Sequence, residues 1–128
     1  MLGPAKSAKD LKVYQTAYTL AMEIFTISKA WPAEERYSLT DQIRRSSRSV
    51  CSNLREAWAK RRYAAHFVNK LTDADGENSE TDGWLDFARD CGYLSPEDHG
   101  WLSGQAGEVG AMLGTMIKEP SAFVIKST

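Results

Sequence analysis

The stretch LTDQIRRSSRSVCSNLREAW, residues 39–58, decides the fold. Its apolar residues Leu39, Ile43, Val50, Leu54 and Ala57, with small Ser47 between them, recur at helical intervals and line one side of a helix. Four arginines, Arg44, Arg45, Arg48 and Arg55, ride on the same segment. They are placed to contact phosphates, to join copies of the chain, or to pair with acids inside one chain.

Three further helices flank this one. The first spans about 10–30, with Leu11, Tyr14, Ala17, Leu20, Ala21, Ile24, Phe25 and Ser28 at helical spacing. Asp10 is suited to cap it, and Trp31-Pro32 ends it, because a residue before proline avoids the helical region. Ser38-x-x-Asp41 reads as a capping box for the second helix, which covers about 39–61. The third runs from about Tyr63 to Cys91 and stops at Gly92. Ser95-Pro96-Glu97-Asp98 opens the fourth, with a cap, a first-turn proline and two acids at the positive end of the helix dipole. Pro120 closes it. No useful β-alternation interrupts the series, so the expected fold is all-α, an antiparallel up-down-up-down four-helix bundle over 10–119. Residues 1–9 read as a flexible N-terminal segment, and 120–128 as a tail whose Phe123, Val124 and Ile125 are free to dock on apolar surface.

A chain of 128 residues is long enough for one hydrophobic core. Its net charge of −1 gives no global basic field to announce nucleic acid. No apolar run approaches the roughly 20 residues that span a bilayer, so no membrane partner is expected. The opening MLGPAKSAKD lacks the apolar core of a signal peptide. Cys51 and Cys91 lie forty residues apart without CxxC spacing and read as buried thiols in a reducing cytoplasm.

Charge along the chain is segregated. Residues 41–70 hold eight basic side chains against Asp41 and Glu56, for a net of +6. Residues 71–108 hold ten acids against Arg89 alone, for a net of −9. At about 100° per residue, Arg44, Arg48, Arg55 and Arg62 fall within about 40° of one another, on a stripe well off the core face. On the third helix, Asp75, Asn78 and Asp82 share a sector with Phe67, Leu71 and Leu85. Antiparallel pairing about residues 62–63 would set Arg48 level with Glu77 and Asn78, and Arg44 level with Glu80 to Asp82. Internal or intersubunit ion pairs are therefore the first expectation, and phosphate contacts along the stripe the second.

Trp84, Phe87 and Cys91 lie opposite the third helix's core stripe, where one bundle cannot bury them, so they read as a subunit interface with Arg48 and Arg55. Gly100, Gly104, Gly107, Ala111 and Gly114 form a row of small residues that suits close packing of another helix. Catalytic signals are missing. Neither HExxH nor a P-loop nor GxGxxG occurs, and the cluster Glu77, Glu80, Asp82 lacks EF-hand spacing. No enzyme activity, metal or cofactor is expected.

The segments DLKVYQTAYTLAMEIF, WPAEERYSLTDQIRRSSRSVCSNLREAW, CGYLSPED and VGAMLGTMIK resemble the four-helix-bundle proteins encoded in intervening sequences of bacterial 23S ribosomal RNA genes. The superfamily includes the accessory variability determinants of diversity-generating retroelements. The resemblance implies a cytoplasmic, non-enzymatic homopentamer. Its retroelement branch implies a reverse transcriptase and RNA or DNA as partners. Arg44 and Arg45 match the family's paired arginines, and Ser49 and Asn53 its polar positions on the second helix. Arg48, Cys51, Arg55, Trp58, Asp75 and Asn78 depart from it, the family carrying apolar, proline or small residues there. New arginines on one helix and new polar groups on the next are what a compensated seam would require.

Overall fold

The computed structural model describes residues 4–125. Four helices, α1 (Lys12–Ser28), α2 (Leu39–Ala59), α3 (Ala64–Asp90) and α4 (Pro96–Lys118), form an antiparallel up-down-up-down bundle in which α1 packs on α2 and α4, and α3 on α2 and α4. Among the described residues there are no strands. Residues 1–3 and 126–128 of the expected terminal segments lie outside the described residues.

The stripe that announced α2 is its core face: Leu39, Ile43, Val50, Leu54 and Ala57 are all buried. The apolar interior falls into two clusters. One gathers Tyr14, Val50, Leu54, Phe67, Leu71, Val109 and Leu113, and the other Leu20, Ile24, Ile43, Leu85, Leu94 and Leu102. Burying each such side chain contributes about 1.5–3 kcal/mol. Buried polar groups also join the helices: Ser46 Oγ lies 2.8 Å from Thr81 Oγ1, and Asn78 Nδ2 donates to the Ala106 carbonyl at 2.8 Å. Asn78 is thus a buried core residue, whereas Asp75 is exposed, so the polar sector on α3 divides at the core edge.

The helix ends partly depart from expectation. Asp10 does not cap α1, which begins after Leu11; its carboxylate instead accepts the Lys6 and Ser7 amides at 2.8 and 3.2 Å and closes a 3-10 turn, Ala8–Asp10. Ala8 is buried in the core, so the chain joins the bundle before residue 10. Ser38 makes no side-chain cap bond, because its backbone (φ −127°, ψ −110°) lies outside the extended region that aims a cap hydroxyl at the first turn. Ser95 does cap, accepting from the Asp98 amide at 3.0 Å. Beyond α4, Phe123 stacks on Phe67 with ring centroids 6.0 Å apart, and the Ile125 amide donates to the Arg61 carbonyl at 3.0 Å. The described part of the tail is therefore docked.

The small-residue row on α4 packs against nothing within the chain: a Cβ at Gly100, Gly104, Gly107 or Gly114 would meet no atom within 4 Å. The close approach is one residue off that row. A Cβ at Gly110 would lie 3.5 Å from Asn78 Nδ2, an ordinary contact.

Gly92 ends α3 as its spacing implied. With φ +82°, it turns the chain so that Tyr93 N–H donates to the Ala88 carbonyl (2.8 Å) and Gly92 N–H to that of Arg89 (3.0 Å). A Cβ there would touch nothing within 4 Å, so an alanine is opposed only by backbone conformation. Gly92→Ala should cost about 1–2 kcal/mol in urea unfolding with an unchanged m value. A neutral substitution would contradict the left-handed cap.

Candidate assembly faces

The arginines of α2 separate onto two flanks. Arg45 meets α3, with Nη1 3.1 Å from Glu77 Oε2 and Nη2 2.7 Å from Glu80 Oε1. These carboxylates hold its guanidinium above the ordinary arginine pKa, the Glu80 hydrogen bond foremost. The side chains are substantially exposed, so each pair is worth only about 0–1 kcal/mol. The pairing expected of Arg44 and Arg48 thus belongs to Arg45, which lies about 100° around the helix from Arg44 and about 60° from Arg48. Spacing placed the stripe off the core but not beside a particular neighbour, and α1 lies there.

Arg44 donates from Nε to Ser28 Oγ at 2.9 Å, and its guanidinium carbon lies 4.9 Å from the Phe25 ring centroid. Arg48 lies over the same ring at 5.6 Å. Arg55 donates from Nε to Tyr14 Oη at 3.2 Å and covers that ring at 5.5 Å. Cation–π contacts of this kind suit a guanidinium at the rim of a buried or half-buried aromatic. Between these arginines and α1 opens a cleft of about 430 Å³ lined by Tyr14, Tyr18, Ala21, Met22, Arg48, Cys51, Ser52 and Arg55, without a carboxylate. Tyr18 and Met22 stay about half exposed. Arg62 leaves the stripe: α2 ends at Ala59, and Arg62 sits exposed in the turn before α3.

The opposite face, α3 with α4, is acidic. Asp82 accepts from Ser103 Oγ of α4 at 2.7 Å, and Asp86 lies 2.8 Å from His99 Nε2. Asp75 shares their sector and is exposed. The Asp86–His99 contact, joined by Arg89 Nη1 3.4 Å from the same nitrogen, was not foreseen, because its members sit on different helices and form no local motif. Among the described residues no group of three or more His, Cys, Asp or Glu is placed to hold a metal ion, and no helix is long and apolar enough to cross a membrane.

The aromatic patch of α3 is only partly open. Trp84 is half-buried, packs beside the second core cluster, and donates from Nε1 to Glu80 Oε1 at 3.3 Å. Phe87 is 59% exposed and tilts against Trp84 at 5.7 Å. Together with Cys91 they border a cleft of about 210 Å³ against Glu35, Ser38, Leu39 and Gln42. Cys91 is exposed, contrary to the expectation of two buried thiols, because it caps α3 on the outer side that also carries exposed Phe87. Cys51 is buried, and desolvation pushes its thiol up to about 11 although Arg55 pulls the other way. The two cysteines should differ in reactivity. A maleimide should modify Cys91 in native protein and Cys51 only after unfolding. Protection of Cys91 in native protein would mean that another copy covers the Phe87 patch.

Comparison with known proteins agrees with this architecture. A crystal structure from Bacteroides thetaiotaomicron VPI-5482, described as a protein with unknown function from the S23 ribosomal protein family, superposes with a TM-score of 0.76 at 29% identity. The match covers 83% of this chain and 95% of that one. No curated protein matches. Residues 9–115 match the model of the 23S rRNA-intervening sequence protein, and the chain belongs to that family.

Proposed function

We propose that the chain is a non-enzymatic, cytoplasmic scaffold that assembles with copies of itself through unlike faces. One observation carries this reading. The α1/α2 face presents Arg48 and Arg55 around half-exposed Tyr18 and Met22, while the opposite α3/α4 face presents Asp75, Asp82 and Asp86. Complementary patches on opposite sides of one subunit make head-to-tail contacts, which close into a ring when the rotation allows. The family resemblance favours five copies. Burial pushes the Cys51 thiol up to about 11, which leaves the cysteine of the arginine cleft a poor nucleophile and accords with a role without catalysis.

Light scattering at micromolar concentration tests the reading: the mass should be a multiple of the chain's 14.3 kDa and fall as salt screens the faces. A monomer at low salt would remove it.

A second reading has its own support. Arg48 and Arg55, about two turns or 10.5 Å apart beside an exposed tyrosine ring, would also suit phosphates and a stacked base. A reverse transcriptase partner would belong to this reading. RNA binding that weakens steeply with salt and is lost in Arg48→Ala/Arg55→Ala would favour it. No binding at low salt would dismiss it.

A further inference from the structure

We propose that Arg48 and Arg55 of α2 dock on Asp82 and Asp75 of α3 in a second copy, with the two helices antiparallel. The inference rests on the assembly reading above and names its contacts.

Spacing is the first argument. Arginines 44, 48 and 55 are separated by four and then seven residues, while aspartates 75, 82 and 86 are separated by seven and then four. Run antiparallel, the rows coincide: 55 with 75, 48 with 82, 44 with 86. Both rows keep to one side of their helix, since steps of four and seven residues return within about 40°.

Position is the second. The arginines lean toward α1, and Asp82 and Asp86 toward α4, so the rows occupy opposite faces and cannot meet within one chain. Two copies bring them together. Direction agrees as well: in a ring whose axis follows the bundle, every α2 points one way and every α3 the other. A neighbour's α3 therefore arrives antiparallel to α2.

Surface shape is the third. Beside Asp75 and Asp82 stand Gly76, Ser79 and Gly83, and no atom lies within 4 Å of a Cβ built at either glycine. A neighbouring helix with long side chains can approach such a low surface. The arginine cleft supplies cations without a carboxylate of its own. Guanidinium groups there are pre-oriented by the Phe25 and Tyr14 rings, which limits the entropy lost on pairing. Asp86 already faces His99, with Arg89 on the same nitrogen, whereas Asp82 and Arg55 meet only the neutral hydroxyls of Ser103 and Tyr14, so the contact rests on the other two rungs.

Charge reversal tests the ladder. Arg48→Asp/Arg55→Asp and Asp75→Arg/Asp82→Arg, each checked for helical circular dichroism, should separately weaken association about tenfold or more by light scattering at matched salt. All four reversals combined in one chain should recover it, because each reversed face then meets its complement on the next copy, whatever the number of copies in the ring. Unchanged assembly of either variant, or a folded fourfold variant that stays dissociated, would overturn the ladder while leaving assembly itself standing. A monomeric wild type would instead remove the reading beneath it. Should a reversal fail to fold, Arg55→Gln and Asp75→Asn are the milder pair. Each is expected to lower the mass, and assembly unchanged in both would overturn the ladder.

Discussion

The seam between α1 and α2 governs what the surface of this protein can do. Half-buried Phe25 and buried Tyr14 lie where arginines of α2 emerge, and three guanidinium groups settle on their rings. This contact draws positive charge away from α3. Only Arg45, on the other flank, reaches the acids Glu77 and Glu80. The remaining aspartates on the α4 side of α3 meet no arginine of α2. Strong charge of both signs therefore survives folding, on opposite sides of a narrow bundle, although the chain is nearly neutral. Unpaired surface charge on that scale opposes nothing in the fold itself, but it favours association with a complementary surface.

The hydrophobic architecture was legible because it depends on period alone. Leu39, Ile43, Val50, Leu54 and Ala57 recur at helical intervals and are buried, and Gly92 ends α3 because few other residues accept its backbone angle. The arginine partners were less legible for a definite reason. Period gives the sector a side chain occupies, whereas the neighbour in that sector depends on the hand of the bundle, which no local pattern records. The same ambiguity affected the glycine row of α4. Its spacing suited a closely packed helix, yet within the chain the row faces outward and only Gly110, beside it, comes near Asn78. Asp86 and His99 escaped notice because a pair divided between two helices leaves no motif in either.

Arg48, Arg55, Asp75 and Asn78 share a common geometry. Arg48 and Arg55 line one face, Asp75 lies on the opposite one, and Asn78 is turned inward to bind the Ala106 carbonyl. Asn78 serves the single chain, fixing α3 against α4. Within the chain Arg48 and Arg55 meet the Phe25 and Tyr14 rings and no carboxylate, and among the described residues Asp75 pairs with no cation. Their placement makes sense when subunits are considered together. Buried polar groups align the helices of one copy, and in the assembly proposed above the exposed charges would set the register between copies.

Disulfide trapping tests that central claim most directly. Ser52, which lines the arginine cleft, and Ser79, exposed on the aspartate row, fall at the midpoints between the two rungs. In a Cys91→Ser background, mild oxidation of a Ser52→Cys/Ser79→Cys variant should link copies into a series of covalent multimers, while either substitution alone should not. Monomers that remain unlinked under conditions where the protein is assembled would show that these faces do not meet, and the account would be wrong.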